Sequence, residues 1–162
     1  VVLAGVLADG DGSRLQQRLV HADALVTEVS ANAGLFGSFE ARDPDTFLIT
    51  GIHPAEVSDR QVLDAIDDEL DTLAGTPPDP GELAKVAARW TANMHSEHDR
   101  LAARLLGIGV FELLYGDPGL LYRLPEMIGG VSPEDVSAAA KALRPDSRAV
   151  LVVEPQTRGG TP

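Results

Sequence analysis

The stretch Leu7-Ala8-Asp9-Gly10-Asp11-Gly12-Ser13-Arg14-Leu15-Gln16-Gln17-Arg18-Leu19 joins two apolar runs through a corner that holds two glycines. Before the corner, Val2, Leu3, Val6 and Leu7 recur at helical spacing; after it, Leu15, Leu19 and Val20 do the same. The glycines allow positive φ between the two helices, and Ser13 is placed to cap the second. Two ligand readings of the corner fail on residue type. A phosphate loop would carry a Lys and would not set Asp9 and Asp11 against phosphate. A calcium loop would close on an acid where Val20 stands. The corner is a bend between helices. Val2 and Leu3 enter in helical phase with no Ser, Thr, Asp or Asn before them, so the reading expects this sequence to open inside an element.

Beyond the corner, Leu25 to Ala31 alternates as a strand, Gly34-Leu35-Phe36-Gly37 reads as a turn or bulge, and Ser38 to Ala41 as a continuation of the sheet. Thr46 to Ile52 is a second strand, closed by His53-Pro54. Ser58 with Gln61 signals a capping box. It opens a helix with Leu63, Ile66, Leu70 and Leu73 on one stripe and Asp59, Asp64, Asp67, Asp68 and Asp71 on a solvated face. Asp79-Pro80-Gly81-Glu82 starts another helix, whose apolar phase runs from Leu83 to about Leu114 with Gly107 and Gly109 as its bending points. A helix at Leu120 to Ile128 and one opened by Ser132-Pro133-Glu134-Asp135 follow. Ala149 to Val153 is an unbroken apolar run, expected as a strand buried on both faces. The count is roughly three or four strands against five or six helices, too few strands to flank a central one, so further strands are expected from elsewhere. Residues 1–155 form one domain in this reading, and 156–162 a polar tail.

Composition narrows the function. Twenty-five acids against 13 bases give a net charge of −12. That excludes the clustered cations of a nucleic-acid binder and disfavours an anionic membrane surface. Absence of cysteine rules out disulfides, cysteine zinc sites and thiol catalysis. No apolar run reaches the roughly 20 residues of a membrane span. With no secretory signal in this stretch, the expected location is the cytoplasm.

His95-Ser96-Glu97-His98 is the densest cluster of metal-ligand types. Two zinc-binding histidines on a helix stand four apart with a Glu as base. Here they stand three apart, and Glu97 lies about 200° around the helix from His95 at about 100° per residue. His98 also falls in the apolar stripe between Met94 and Leu101. The pair reads as packed or capping histidines, with metal binding by His95 and His98 as the alternative. His21 and His53 are isolated loop histidines. The motifs by themselves support no catalytic assignment.

Taken in order, these pieces resemble the C-terminal, non-zinc domain of the pitrilysin/insulinase-type zinc metallopeptidases. The carriers are the glycine corner with Ser13-Arg14-Leu15 and Arg18-Leu19, Glu82-Leu83 opening a long helix, Val131-Ser132-Pro133-Glu134-Asp135-Val136, Ala139-Ala140, Leu143-Arg144-Pro145 and the valine-rich run ending in Glu154-Pro155. The resemblance implies an α/β (α+β) two-layer sandwich, a mixed sheet with helices on one face. Such units form one half of a clamshell around a peptide chamber, and this one is incomplete at its N-terminus by that comparison.

It further implies a chain that is not catalytic alone. The zinc motif H-x-x-E-H belongs to the other type of unit and is absent here, so no cofactor is expected in this chain. Zinc is expected on an N-terminal-type partner domain or subunit, in a homo- or hetero-oligomer, where a Glu-activated water attacks the scissile amide of a peptide substrate. This chain would wall the chamber and aid peptide binding as an added strand; its acidity favours basic peptides. The alternative is a pure scaffold or assembly subunit. In relatives, an Arg and a Tyr seven residues on reach toward substrate; their positions here are Val20 and Thr27, neither of which can do that work. Arg18 and His21 are the neighbouring candidates for substitutes.

Overall fold

The computed structural model describes residues 1–143 and 145–154. Along the chain stand α1 (Val2–Ala8), a π-helical segment (Gln16–Ala22), β1 (Glu28–Ala33), β2 (Phe47–Ile52), α2 (Asp59–Gly75), α3 (Pro80–Glu97), α4 (Leu101–Tyr115), α5 (Leu120–Gly129), α6 (Pro133–Ala142) and a 3-10 turn (Pro145–Ser147). The helices α1 to α6 and the antiparallel pair β1–β2 make an α/β fold.

Local chemistry accounts for the helix ends. The Ser58 hydroxyl accepts from the Gln61 amide while the Gln61 side chain accepts from the Ser58 amide. Ser132 and Asp135 repeat this reciprocal arrangement at α6, with Pro133 at its first position. Asp79 accepts from the Gly81 amide at 2.7 Å, ahead of Pro80. Each side chain satisfies an amide that the helix itself leaves without a partner.

The core forms where these helices meet the strands. α1 packs on β1 and α3, α2 on α6, and α3 on α5. Leu7, Leu15, Leu19 and Leu73 are fully buried, three of them from the stretch around the glycine corner. A smaller cluster of Met94, Phe111, Leu121 and Leu124 lies between α3, α4 and α5.

Several expectations change. At the corner, Gly10 takes φ 86°, and Arg89 donates to the Asp9 carbonyl at 3.0 Å. Ser13 does not cap: its hydroxyl is buried and without a partner among the described residues. The helix that follows is π-type, with the Asp23 amide donating to the Arg18 carbonyl five residues back. β1 begins at Glu28 and not at Leu25, because the Leu25 and Val26 amides both go to the Leu19 carbonyl, at 2.8 and 3.2 Å. Ser38 to Ala41 pairs with no strand among the described residues. The long helix breaks at His98 to Arg100 and not at its glycines. There the His98 ring caps α3 through the Met94 carbonyl at 2.8 Å and lies over Gly107 of α4, where a Cβ would meet its Nε2 at 2.8 Å.

The expected mixed sheet is, among the described residues, one antiparallel pair. Ala149 to Val153 is not a buried strand: it belongs to no ladder, and Leu151 is 87% exposed. A strand needs a hydrogen-bonded neighbour, and no third strand among the described residues supplies one. The expected tail, 156–162, lies outside the described residues. No described helix is long and apolar enough to cross a membrane.

Candidate functional site

The open side of β1 is where sheet geometry exposes main-chain hydrogen-bonding groups. Glu28 pairs with Ile52 and Ala33 with Phe47, and the Gly34 amide donates to the Thr46 carbonyl just beyond. In this phase, antiparallel alternation turns the main-chain groups of Val29, Ala31 and Ala33 away from β2. Gln16 donates to the Val29 carbonyl at 3.1 Å, and Ser38 to the Ala33 carbonyl at 3.0 Å. Between them, Ala31 has no hydrogen-bond partner on that side among the described residues. The side chains of Val29, Ala31 and Ala33 share the face that meets α1. Glu28, Ser30 and Asn32 share the outer face with Ile52, Thr50 and Leu48.

The π-helix, a geometry often found at functional positions, carries three of the four candidate residues, and the fourth stands just before β1. Val20 is half-buried against the core. Thr27 is exposed and donates its hydroxyl to the Ile52 carbonyl at 3.1 Å. Arg18 donates to Asp68 at 2.8 Å and lies 3.6 Å from Asp23; the hydrogen bond to Asp68 holds its guanidinium above its ordinary pKa. Arg18 is thus tied to its own helix and to α2. His21 is exposed. These residues lie along one short path into β1 without converging on a common point.

Arg14 organises the base of the same region. Its Nε and Nη2 reach the two Glu82 oxygens at 3.0 Å each, and its Nη1 reaches Glu69 at 3.3 Å. The Glu82 hydrogen bond, foremost, raises the Arg14 pKa. One guanidinium therefore ties the start of the π-helix to α2 and α3 through a bidentate geometry that Lys could not reproduce.

The histidine cluster does not assemble. The His98 Nδ1 is spent on the Met94 carbonyl, and His95 is exposed. Among the described residues no three His, Cys, Asp or Glu side chains are grouped to hold a metal. In the β1–β2 connection, whose sequence reads as a turn or bulge with no site residue marked, Leu35 and Phe36 are exposed. Two large apolar residues between glycines in a turn were the available signal.

No protein-family model and no curated protein matches this chain by sequence. By structure it is similar to the inactive peptidase domain of a protein assigned as a zinc protease from Bordetella parapertussis. The TM-score is 0.74 at 20% identity, over 97% of this chain and 83% of that one. A second relative, assigned as a zinc protease from Bordetella pertussis, gives 0.71 at 20% identity, over 87% and 74%. A protease from Helicobacter pylori gives 0.73 at 18% identity, over 87% of this chain.

The chain has the fold of zinc-protease peptidase domains. It spans about a third, 32%, of the Helicobacter pylori protease. The resemblance drawn from the glycine corner and the α6 start holds at the level of an α/β fold, over 97% of the chain in the Bordetella parapertussis domain.

Proposed function

We propose that this chain is a non-catalytic half of a zinc-peptidase assembly. It walls a peptide chamber and holds an extended peptide along the open side of β1. The zinc and the hydrolysis belong to a partner domain or subunit. The similarity to an inactive peptidase domain over 97% of the chain carries the reading. Ala31 supports it: its amide and carbonyl face outward between two capped carbonyls and accept an added strand. With Val20 and Thr27 in place of the Arg and Tyr of relatives, main-chain pairing is the means of holding peptide left to this chain.

The test is fluorescence anisotropy of a labelled, unstructured peptide titrated with the chain. A series in which single peptide amides are N-methylated follows. Strand addition predicts that methylating amides of one parity abolishes binding while the other parity leaves it intact. Uniform tolerance of methylation would remove the reading.

A pure scaffold is the second reading, favoured by the commitment of Arg18 to Asp23 and Asp68. It predicts stable association with a zinc-bearing partner and no peptide binding at all.

A further inference from the structure

α4 turns an apolar stripe away from its own protein. Its inner face docks through Phe111, buried with Met94, Leu121 and Leu124, and Ile108 packs beside it. On the opposite face stand Leu105, Leu106 and Leu113, with Ala102 and Gly109 between them and Leu101 at the margin. At about 100° per residue the first five span about 100° of arc, the width of stripe that an amphipathic helix ordinarily lays on a core. Here it lies in the open. Leu101, Leu105, Leu106 and Leu113 are all more than half exposed, Leu113 by 82%. No charge interrupts the stripe: Arg104 is turned toward the end of α3, its Nε donating to the His98 carbonyl at 2.9 Å, and Glu112 stands at the edge.

Gly109 marks the centre of this stripe. A glycine inside a helix lowers stability relative to alanine. Nothing within the chain calls for one at this position, since a Cβ there would meet no described atom within 4 Å. Gly107 differs, because a Cβ there would strike the His98 ring. What the missing side chain at 109 permits is close approach from outside, as the side chains at a contact set how near two helices come. Leu105 and Leu113 lie four residues before and after Gly109, so the stripe is symmetric about it. An antiparallel helix of the same sequence crossing at Gly109 sets Leu105 of each copy on Leu113 of the other, the self-complementarity that a two-fold interface requires. The four bare leucines expose on the order of 500 Å², the size of patch that marks an interaction site on a monomer. Counted on both copies, that reaches the roughly 1,000 Å² a specific interface needs.

We propose that a second copy of this chain covers the stripe: two α4 helices pack antiparallel across a two-fold axis at Gly109, and their leucines interdigitate on either side. The uncharged stripe lets two chains of net charge −12 meet with their like charges outside the contact. The pairing is independent of how β1 is used.

The experiment is sedimentation equilibrium of the whole chain over a wide range of concentration. The natural chain is expected to dimerise in a concentration-dependent way. Leu105→Lys and Leu113→Glu should each raise the dimer Kd by at least about tenfold, since each would bury a charge without a partner. The double variant Leu105→Lys/Leu113→Glu should pair again, because each introduced cation then meets an introduced anion of the other copy. Gly109→Leu should abolish the dimer by filling the crossing point. Its Tm, read where the natural chain is monomeric, should hold or rise, because leucine favours the helix and enters open space. A natural chain that stays monomeric at every concentration overturns the proposal, as does a dimer indifferent to Leu105→Lys and Gly109→Leu. A fall in the Tm of Gly109→Leu would show that the glycine serves the fold of the single chain and would overturn it too. None of these results bears on peptide binding at β1.

Discussion

The Tyr115 hydroxyl lies 3.1 Å from the Phe39 carbonyl and 2.8 Å from that of Ala41, so one side chain at the end of α4 holds the β1–β2 connection. Phe39 sits at φ 70°, a conformation an aromatic residue keeps only when its surroundings enforce it. Its ring meets Trp90 edge-on at 6.3 Å and lies 6.3 Å from Phe111, which stacks on Tyr115 at 5.4 Å. Ring packing and the hydroxyl contact together offset a backbone cost of about 1–3 kcal/mol.

Tyr115→Phe keeps the ring and removes the hydroxyl. The expected loss is about 0.5–1.5 kcal/mol by urea denaturation, toward the low end because the tyrosine is partly exposed. Hydrogen exchange should rise within residues 34–46 and stay unchanged in α2. Acceleration spread evenly over the chain would show that the hydroxyl does not anchor this segment.

Arg14→Met removes the guanidinium and strands Glu69 and Glu82 in a half-buried setting. The expected cost is about 1–3 kcal/mol, since the partners lose charge-assisted hydrogen bonds without regaining full hydration. Adding Glu82→Gln should recover part of it. Full additivity of the two substitutions would argue against a coupled pair.

Asp135 has its carboxyl held below the ordinary aspartate value, first by the Ser132 hydroxyl and then by the Ser132 amide. A carboxyl lowered in the folded state stabilises above its unfolded pKa, about 3.9, and loses that contribution as pH falls through the folded value. The difference in Tm between the natural chain and Asp135→Ala should be constant above about pH 5 and shrink below about pH 4. Widening of the gap in acid would reverse the assignment.

A chelator such as EDTA should leave the Tm unchanged, because His98 is a helix cap whose Nδ1 is occupied by the Met94 carbonyl. His98→Ala should cost about 0.5–1.5 kcal/mol of stability through loss of that cap, read as a fall in Tm. A chelator-induced drop in the natural chain, absent in His95→Ala, would instead establish a metal held by these histidines.

Leu73→Ala tests where the core lies. Leu73 is fully buried, and the adjacent Ser137 hydroxyl donates to its carbonyl at 2.7 Å. The expected loss is about 2–5 kcal/mol. An equal substitution at Leu63, which the sequence stripe also placed inside but which is only half-buried, should cost clearly less.

Helix starts at Ser58, Asp79 and Ser132 were legible because a cap and the amide it satisfies are two or three residues apart. The π-helix was not, because its phase depends on the Leu19 carbonyl taking two amides from the turn that leads into β1. The break at His98 was misplaced for a similar reason. A glycine looks like the weak point of a helix, yet Gly107 is the residue that admits the His98 ring from the neighbouring helix. At the site, Val20, Thr27, Arg18 and His21 were marked from the chain alone, whereas the ion pairs that occupy Arg18 come from α2 and Asp23.

Patterning by itself determined that Leu7, Leu15, Leu19 and Leu73 would be internal and that acids would cover α2, since burial of apolar stripes follows from periodicity. Only the tertiary structure decided which strand groups remain open. A ladder joins segments distant in the chain, so Ala31 facing outward, Leu151 lying bare and Phe36 standing exposed depend on what packs nearby and not on neighbours in sequence.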